Sequence, residues 1–169
     1  LEAIVELTRT VMLAGFSSAS AVRVSINPLI PKAHTPMQWV PMLDLKELRN
    51  RLSYVSSALS RAGIRVEYLD PRLAVIQAVL SLGDRSLSET IVYWAMYGGG
   101  LGGWRRALKR ANVALKRIFD WRSIEEALPW DHIDIGVSKK VLIEEYFNMI
   151  MGKHVTTCPS RCSVCRLCG

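Results

Sequence analysis

Cys158, Cys162, Cys165 and Cys168 are the only cysteines in 169 residues, and they stand together as C-x3-C-x2-C-x2-C. Cysteine used as a small hydrophobe scatters through a core. Thiolates gathered this tightly are instead suited to binding a metal. The spacing fits a 4Fe–4S cluster, which closely spaced cysteines can wrap. It also fits zinc, with His154 or His132 replacing one thiolate. The plainer alternative is a solvated tail whose thiols pair only on oxidation.

A second polar cluster is Asp131-His132-Ile133-Asp134, two carboxylates and an imidazole within four residues after Pro129-Trp130. Such a cluster can act as a general acid/base pair or a metal site. The same residues also suit a turn, with Asp131 or Asp134 capping it and His132 satisfied by backbone. A third polar segment is the loop Asn27 to Pro41, which carries four prolines (Pro28, Pro31, Pro36, Pro41). Proline restricts the backbone and removes a donor, so this is an ordered loop. It leaves the C-terminal end of an expected strand, the edge at which parallel α/β folds bind ligands. Asn27, Lys32, His34, Thr35 and Gln38 offer hydrogen bonds and a charge there. A rigid connector with solvated polar side chains would look the same from composition alone.

Charge forms a fourth feature. The formal net charge is +7. Between Gly98 and Ser123 seven basic residues face the single acid Asp120, so most of the excess is local. A helix over Trp104 to Phe119 would put Trp104, Ala107, Leu108, Ala111, Leu115 and Ile118 on an apolar arc of roughly 100°. Arg105, Arg106, Lys109, Arg110, Lys116 and Arg117 would fill about 140° opposite. That face is either a solvated charged surface or one that tracks the phosphates of RNA.

The elements that must position these groups follow from periodicity and caps. Glu2 to Phe16 reads as an amphipathic helix and Ala21 to Ile26 as a strand. Asp44 caps a helix running to Ala62, with Leu45, Leu48, Leu52, Val55 and Leu59 on one stripe and Gly63 as its stop. Ile64 to Leu69 is a second short strand, ended by Asp70-Pro71. Thereafter the pattern is helical: Leu73 to Leu82, a helix opened by Ser86 or Ser88 and running to Tyr97, the basic helix, and Ser138 to Met151. The run from Gly98 to Gly103 has five glycines in six residues and reads as a hinge or surface turn. It lacks the strand-before, helix-after setting of a dinucleotide-binding fingerprint. Two strands do not make a sheet, so their neighbours are expected upstream or in another chain, with self-association as one consequence of open strand edges.

Several of these motifs occur together elsewhere. The loop Asn27-Pro-x-x-Pro31-Lys32-x-x-Thr35-Pro36-x-Gln38-Trp39 resembles the sixth-strand exit of a largely uncharacterised family of radical S-adenosylmethionine (SAM) enzymes, often fused to a cobalamin-binding-like domain. Asp70-Pro71 followed by Gly83-Asp84-Arg85, then Leu128-Pro129-Trp130-Asp131-His132-Ile133-Asp134-x-Gly136-Val137-Ser138, then the cysteine cluster, match the same family in the same order. Leu29-Ile30, where the family usually has an aromatic, departs from it. The loop is similar more loosely to the strand-six region of radical methylthiotransferases.

The resemblance implies an α/β, mostly helical chain: the last βα portion of a partial (β/α)6 barrel over residues 1–70, a helical subdomain over 71–151, and a Cys-rich tail over 152–169. It implies that Asn27, Pro28, Lys32, His34 and Thr35 lie near bound SAM or substrate. SAM and a catalytic 4Fe–4S cluster would be held upstream of Leu1, in an earlier part of the same protein. The tail cysteines include the C-x3-C-x2-C spacing of that catalytic cluster, but only Gly169 follows them here and a fourth thiolate would close the open iron. They are therefore expected to hold an auxiliary 4Fe–4S cluster or zinc. A chain opening on Leu1 in mid-helix is expected to be a fragment, inactive by itself. No apolar run approaches the ~20 residues of a membrane span, no signal-peptide pattern is present, and clustered cysteines suit a reducing cytoplasm. The rival expectation is a non-catalytic, metal-stapled helical module that binds RNA or a partner protein.

Overall fold

The computed structural model describes residues 1–15, 18, 21–113 and 115–153. The chain is mostly helical with a small two-stranded parallel sheet, an α/β arrangement. It divides into two compact units. Leu1–Ile30 with Leu43–Ile76 form the first, and Pro31–Met42 with Gln77–Gly169 form the second.

The first unit is built on helix α1 (Glu2–Gly15), strand β1 (Arg23–Ile26), helix α2 (Leu45–Arg61) and strand β2 (Arg65–Tyr68). Asp44 starts α2 as the sequence predicts, its carboxylate accepting from Glu47 N at 2.8 Å. Gly63, at φ 76°, ends it. There the amides of Gly63 and Ile64 reach back to the carbonyls of Ser60 and Leu59, which satisfies two terminal acceptors. The apolar stripe of α2 buries Leu48, Leu52, Val55 and Leu59. Val55, Ala58 and Leu59 join Val5, Val22 and Ile64 in one core. The strands pair in parallel with Val24 opposite Val66 and Ile26 opposite Tyr68. Parallel neighbours require a crossover, and α2 supplies it, making a βαβ unit.

Helix α3 (Pro71–Leu82) opens with proline at its first position, where no amide donor is needed. Ala74, Ile76, Ala78, Val79 and Leu82 are buried. In the second unit a short 3-10 turn (Arg85–Leu87) leads into α4 (Ser88–Met96), and α5 (Gly100–Ala111) packs back against it as a hairpin. Another 3-10 turn (Lys116–Ile118) and α6 (Lys139–Ile150) follow. Ser138 caps α6, its hydroxyl accepting from Val141 N at 3.4 Å.

Two helix boundaries differ from the sequence reading. The glycine run is only half a turn. Gly98, Gly99 and Gly100 take positive φ (79°, 68° and 63°), while Gly100 to Gly103 form the first turn of α5. Gly103 sits in a close approach, since a Cβ there would lie 3.2 Å from the Tyr97 carbonyl oxygen and 3.3 Å from the Trp94 ring. The basic helix also stops early, because Asn112 adopts the left-handed conformation (φ 51°, ψ 39°) and donates back to Leu108 O. Asparagine tolerates that conformation better than any residue but glycine. Ile118 is buried from its own 3-10 turn and not from the helix stripe. No helix among the described residues is long and apolar enough to cross a membrane.

Candidate functional site

The second unit gathers three segments far apart in sequence. The first is the proline-rich loop from Pro31 onward, which contains a 3-10 turn (Pro36–Trp39). Backbone bonds tie it to residues 118–122: Met42 N donates to Ile118 O at 2.9 Å, and Arg122 N donates to Trp39 O at 3.2 Å. Trp39 is fully buried and packs edge-on against Tyr146 of α6, with ring centres 5.5 Å apart. The loop is therefore anchored at its C-terminal end, and its N-terminal half can present side chains from a fixed frame.

Gln38 organises that half. It is 1% exposed, and its Oε1 accepts from His34 N at 3.0 Å and from Trp130 Nε1 at 2.7 Å. His34 stands at φ 56°, a left-handed conformation that costs a non-glycine residue about 1–2 kcal/mol. Thr35 Oγ1 donates to Lys32 O at 2.9 Å and closes the turn that holds His34 there. His34 Nε2 is buried without a hydrogen-bond partner among the described residues. Strain and an orphan ring nitrogen in one residue mark a site that packing alone does not explain.

The second segment is Gly83-Asp84-Arg85. Asp84 accepts from Ser86 N at 2.8 Å, and hydrogen bonding to the Ser86 side chain and then to this amide outweighs burial to hold its carboxyl below the ordinary range. Gly83 has no room for a side chain, since an added Cβ would sit 2.7 Å from Val79 O and collide with Leu87. The third segment is Leu128 to Asp134. Asp131 accepts from Leu128 N at 3.0 Å and from Lys139 Nζ at 2.8 Å. Burial raises its pKa, but Lys139, the Leu128 amide and, more weakly, the nearby His34 together bring it below the usual carboxylate value. Asp134 accepts from Gly136 N at 2.8 Å, so both carboxylates brace the turn.

These three segments line one open groove of about 600 Å³, within the usual range for a small-molecule site. Ala33 comes from the loop, Gly83 to Arg85 from the turn after α3, and Leu128, Trp130 and His132 from the third segment. Lys32 Nζ donates at 3.0 Å to Ser81 Oγ, itself on the groove wall. Behind the wall Arg122 is 9% exposed. It donates to Leu82 O at 2.9 Å, closing the C-terminus of α3, and lies over the Trp130 ring at 5.3 Å. Its burial lowers its pKa.

Of the residues singled out from sequence, His132 lines the groove and Lys32 bonds to Ser81 on its wall, while His34, Thr35, Asp131 and Asp134 are not among the lining residues. Asn27 and Pro28 fall in the first unit. The basic residues are split: Arg105, Arg106, Lys109 and Arg110 lie on α5, whereas Lys116 and Arg117 lie on the later 3-10 turn, where Arg117 pairs with Glu126. Cys158, Cys162, Cys165, Cys168 and His154 lie outside the described residues. Among the described ones no group of three His, Cys, Asp or Glu side chains is placed to hold a metal ion. Sequence reasoning counted Arg122 only among the seven basic residues between Gly98 and Ser123, and did not give Gln38 and Trp130 their joint role. The signal available for the last two was their place inside the motifs.

No family model matches the chain. No solved structure matches it either. The chain is similar to Uncharacterized protein MJ0966 of Methanocaldococcus jannaschii, with 34% identity over 93 residues. That alignment covers 55% of this chain and 20% of the relative, so the matched region spans about a fifth of the archaeal protein.

Proposed function

We propose that this chain is the C-terminal part of a radical SAM enzyme and that the groove between Ala33, Arg85 and His132 receives its substrate. The observation that carries this reading is a convergence. The three segments that resemble the radical SAM family, separated by as many as a hundred residues, line a single groove. The parallel β1–α2–β2 unit adds support, since β/α barrels repeat that unit and bind ligands at the strand ends from which this loop departs.

In this reading residues 1–70 close a partial (β/α)6 barrel whose earlier strands and catalytic cluster belong to an upstream part of the same protein. The reaction class is reductive cleavage of SAM to methionine and a 5′-deoxyadenosyl radical, which then takes a hydrogen atom from the substrate. Lys32 and Arg85 supply positive charge at the groove, and Trp130 and Ile133 supply apolar surface. Cys158, Cys162, Cys165 and Cys168 hold an auxiliary 4Fe–4S cluster, or zinc, on the strength of their spacing.

The test uses the full-length protein, loaded anaerobically with iron and sulfide, reduced, and given SAM. Formation of 5′-deoxyadenosine and methionine is expected. A protein that carries its full iron complement and leaves SAM intact under reduction overturns the reading.

A further inference from the structure

We propose that the α4–α5 hairpin is a binding face for a single-stranded polynucleotide, with Tyr93 and Tyr97 as stacking rings and Arg105, Arg106, Lys109 and Arg110 as counter-charge. This names a partner for the enzyme proposed above, but it stands on the hairpin alone.

The sequence sets up the face. From Ser88 to Asn112 four cations stand against one carboxylate, Glu89. Tyr93 and Tyr97 are four residues apart on α4 and its C-terminal cap, so one helical turn puts them on the same side. Their rings are near parallel, at 19°, with centres 6.3 Å apart.

The Arg106 guanidinium lies over the Tyr97 ring at 4.9 Å, and Arg110 lies over Tyr93 at 5.6 Å. Each ring is thus paired with a planar cation, and bases stack on aromatic rings and guanidinium planes alike. All four basic side chains on α5 are exposed, and no carboxylate among the described residues forms an ion pair with any of them.

The hairpin's own hydrogen bonds and ring packing hold these side chains in place. Gly98 N and Gly99 N donate to the carbonyls of Ala95 and Trp94, closing α4. Trp94 Nε1 donates to Gly100 O at 2.8 Å, and the Trp94 ring packs edge-on against the buried Trp104 at 5.0 Å. Arg106 Nη2 also donates to Tyr97 O at 3.0 Å, so the arginine is already oriented. The arrangement favours a single strand over a duplex, because stacking needs bases whose faces are free.

The test is fluorescence anisotropy of the intact chain with labelled oligouridine and oligothymidine at about 50 mM salt, where phosphate contacts are strong. An RNA duplex and inorganic polyphosphate serve as comparators. Binding of either single strand in preference to both comparators is expected, and the ribo and deoxyribo arms tell RNA from DNA. Replacing Tyr93→Leu and Tyr97→Leu together should weaken binding roughly tenfold or more with the salt slope unchanged. Replacing Arg106→Gln and Arg110→Gln should flatten the log–log salt slope by about 0.7 per lost contact.

Absence of binding to both strands overturns the proposal. Equal affinity for polyphosphate, or a tyrosine double variant that folds and binds as tightly as the parent, does the same. Should the tyrosine variant not fold, hydrogen exchange on the parent chain decides: oligouridine should protect residues 88–112, and protection confined elsewhere overturns the face. None of these readouts uses SAM or a cluster, so failure here leaves the radical SAM reading intact, and the reverse holds too.

Discussion

The indole Nε1 of Trp130 donates to Oε1 of Gln38 at 2.7 Å, a buried hydrogen bond between residues 92 positions apart. The same oxygen accepts from His34 N, so one side-chain amide fixes both the left-handed turn of the proline-rich loop and a tryptophan that lines the groove. Replacing Gln38→Leu strands the buried Trp130 indole, at about 1–3 kcal/mol, and the part-buried His34 amide as well. Replacing Trp130→Phe removes one donor and leaves the oxygen satisfied by His34, for about 1 kcal/mol. Urea denaturation should therefore rank Gln38→Leu well below Trp130→Phe. The reverse order would mean that this amide does not organise the wall.

Gly83 also lines the groove and tests its packing. A Cβ at this position meets Val79 O at 2.7 Å and the Leu87 side chain closer still. The carbonyl belongs to the α3 backbone and cannot move aside cheaply. Replacing Gly83→Ala is expected to cost about 1–3 kcal/mol by overpacking. Thermal unfolding checks this, and an unchanged midpoint would show that the turn relaxes without penalty.

How much of this was legible in the sequence depends on distance along the chain. Helix α2 was readable because its cap at Asp44, its leucine stripe and its stop at Gly63 all agree. The basic helix was misread because Leu115 and Ile118 continue the apolar arc that Ala107 and Ala111 begin. Only the backbone turn at Asn112 interrupts it, and an asparagine inside a helical pattern carries no hydrophobic signal. Gly100 to Gly103 looked like a hinge because glycine disfavours helix interiors, yet they form a first turn in which Gly103 alone lies close to Tyr97 and Trp94. The groove's parts were visible as separate motifs. Their meeting was not, since nothing local to residue 38 announces residue 130.

Acid stability follows from Asp131. Burial raises its pKa, but the Lys139 ion pair and the Leu128 amide outweigh it, leaving the folded-state value below the unfolded one. In the acid range the unfolded chain therefore binds the proton more readily. The contribution to stability is complete above the ordinary value of about 3.9 and disappears as pH falls through the folded value. The pair is partly exposed, with side-chain accessibilities of 33% and 36%, so it contributes less than about 1 kcal/mol. Asp84 and Asp70 act with the same sign, Asp70 being held at about 2 by its hydrogen bonds to Arg72. Replacing Asp131→Asn should make the fall in melting temperature between about pH 5 and pH 3 shallower than in the parent. Parallel curves would mean that the pair with Lys139 does not persist in solution.

The cysteine tail separates two chemistries by colour and metal content. A 4Fe–4S cluster on Cys158, Cys162, Cys165 and Cys168 requires sulfide as well as iron and absorbs visible light, whereas a zinc site is colourless and needs neither. Anaerobic loading of the intact chain should give a brown protein with about four irons and four sulfides per chain. Replacing Cys162→Ser should lose most of both while the helix content of residues 1–153 stays unchanged by circular dichroism. A colourless chain holding one zinc would remove the cluster and leave a structural staple. Loss of helix in the cysteine variant would instead tie the tail to the fold of the helical unit, because a metal that binds only the folded chain stabilises it by its binding free energy.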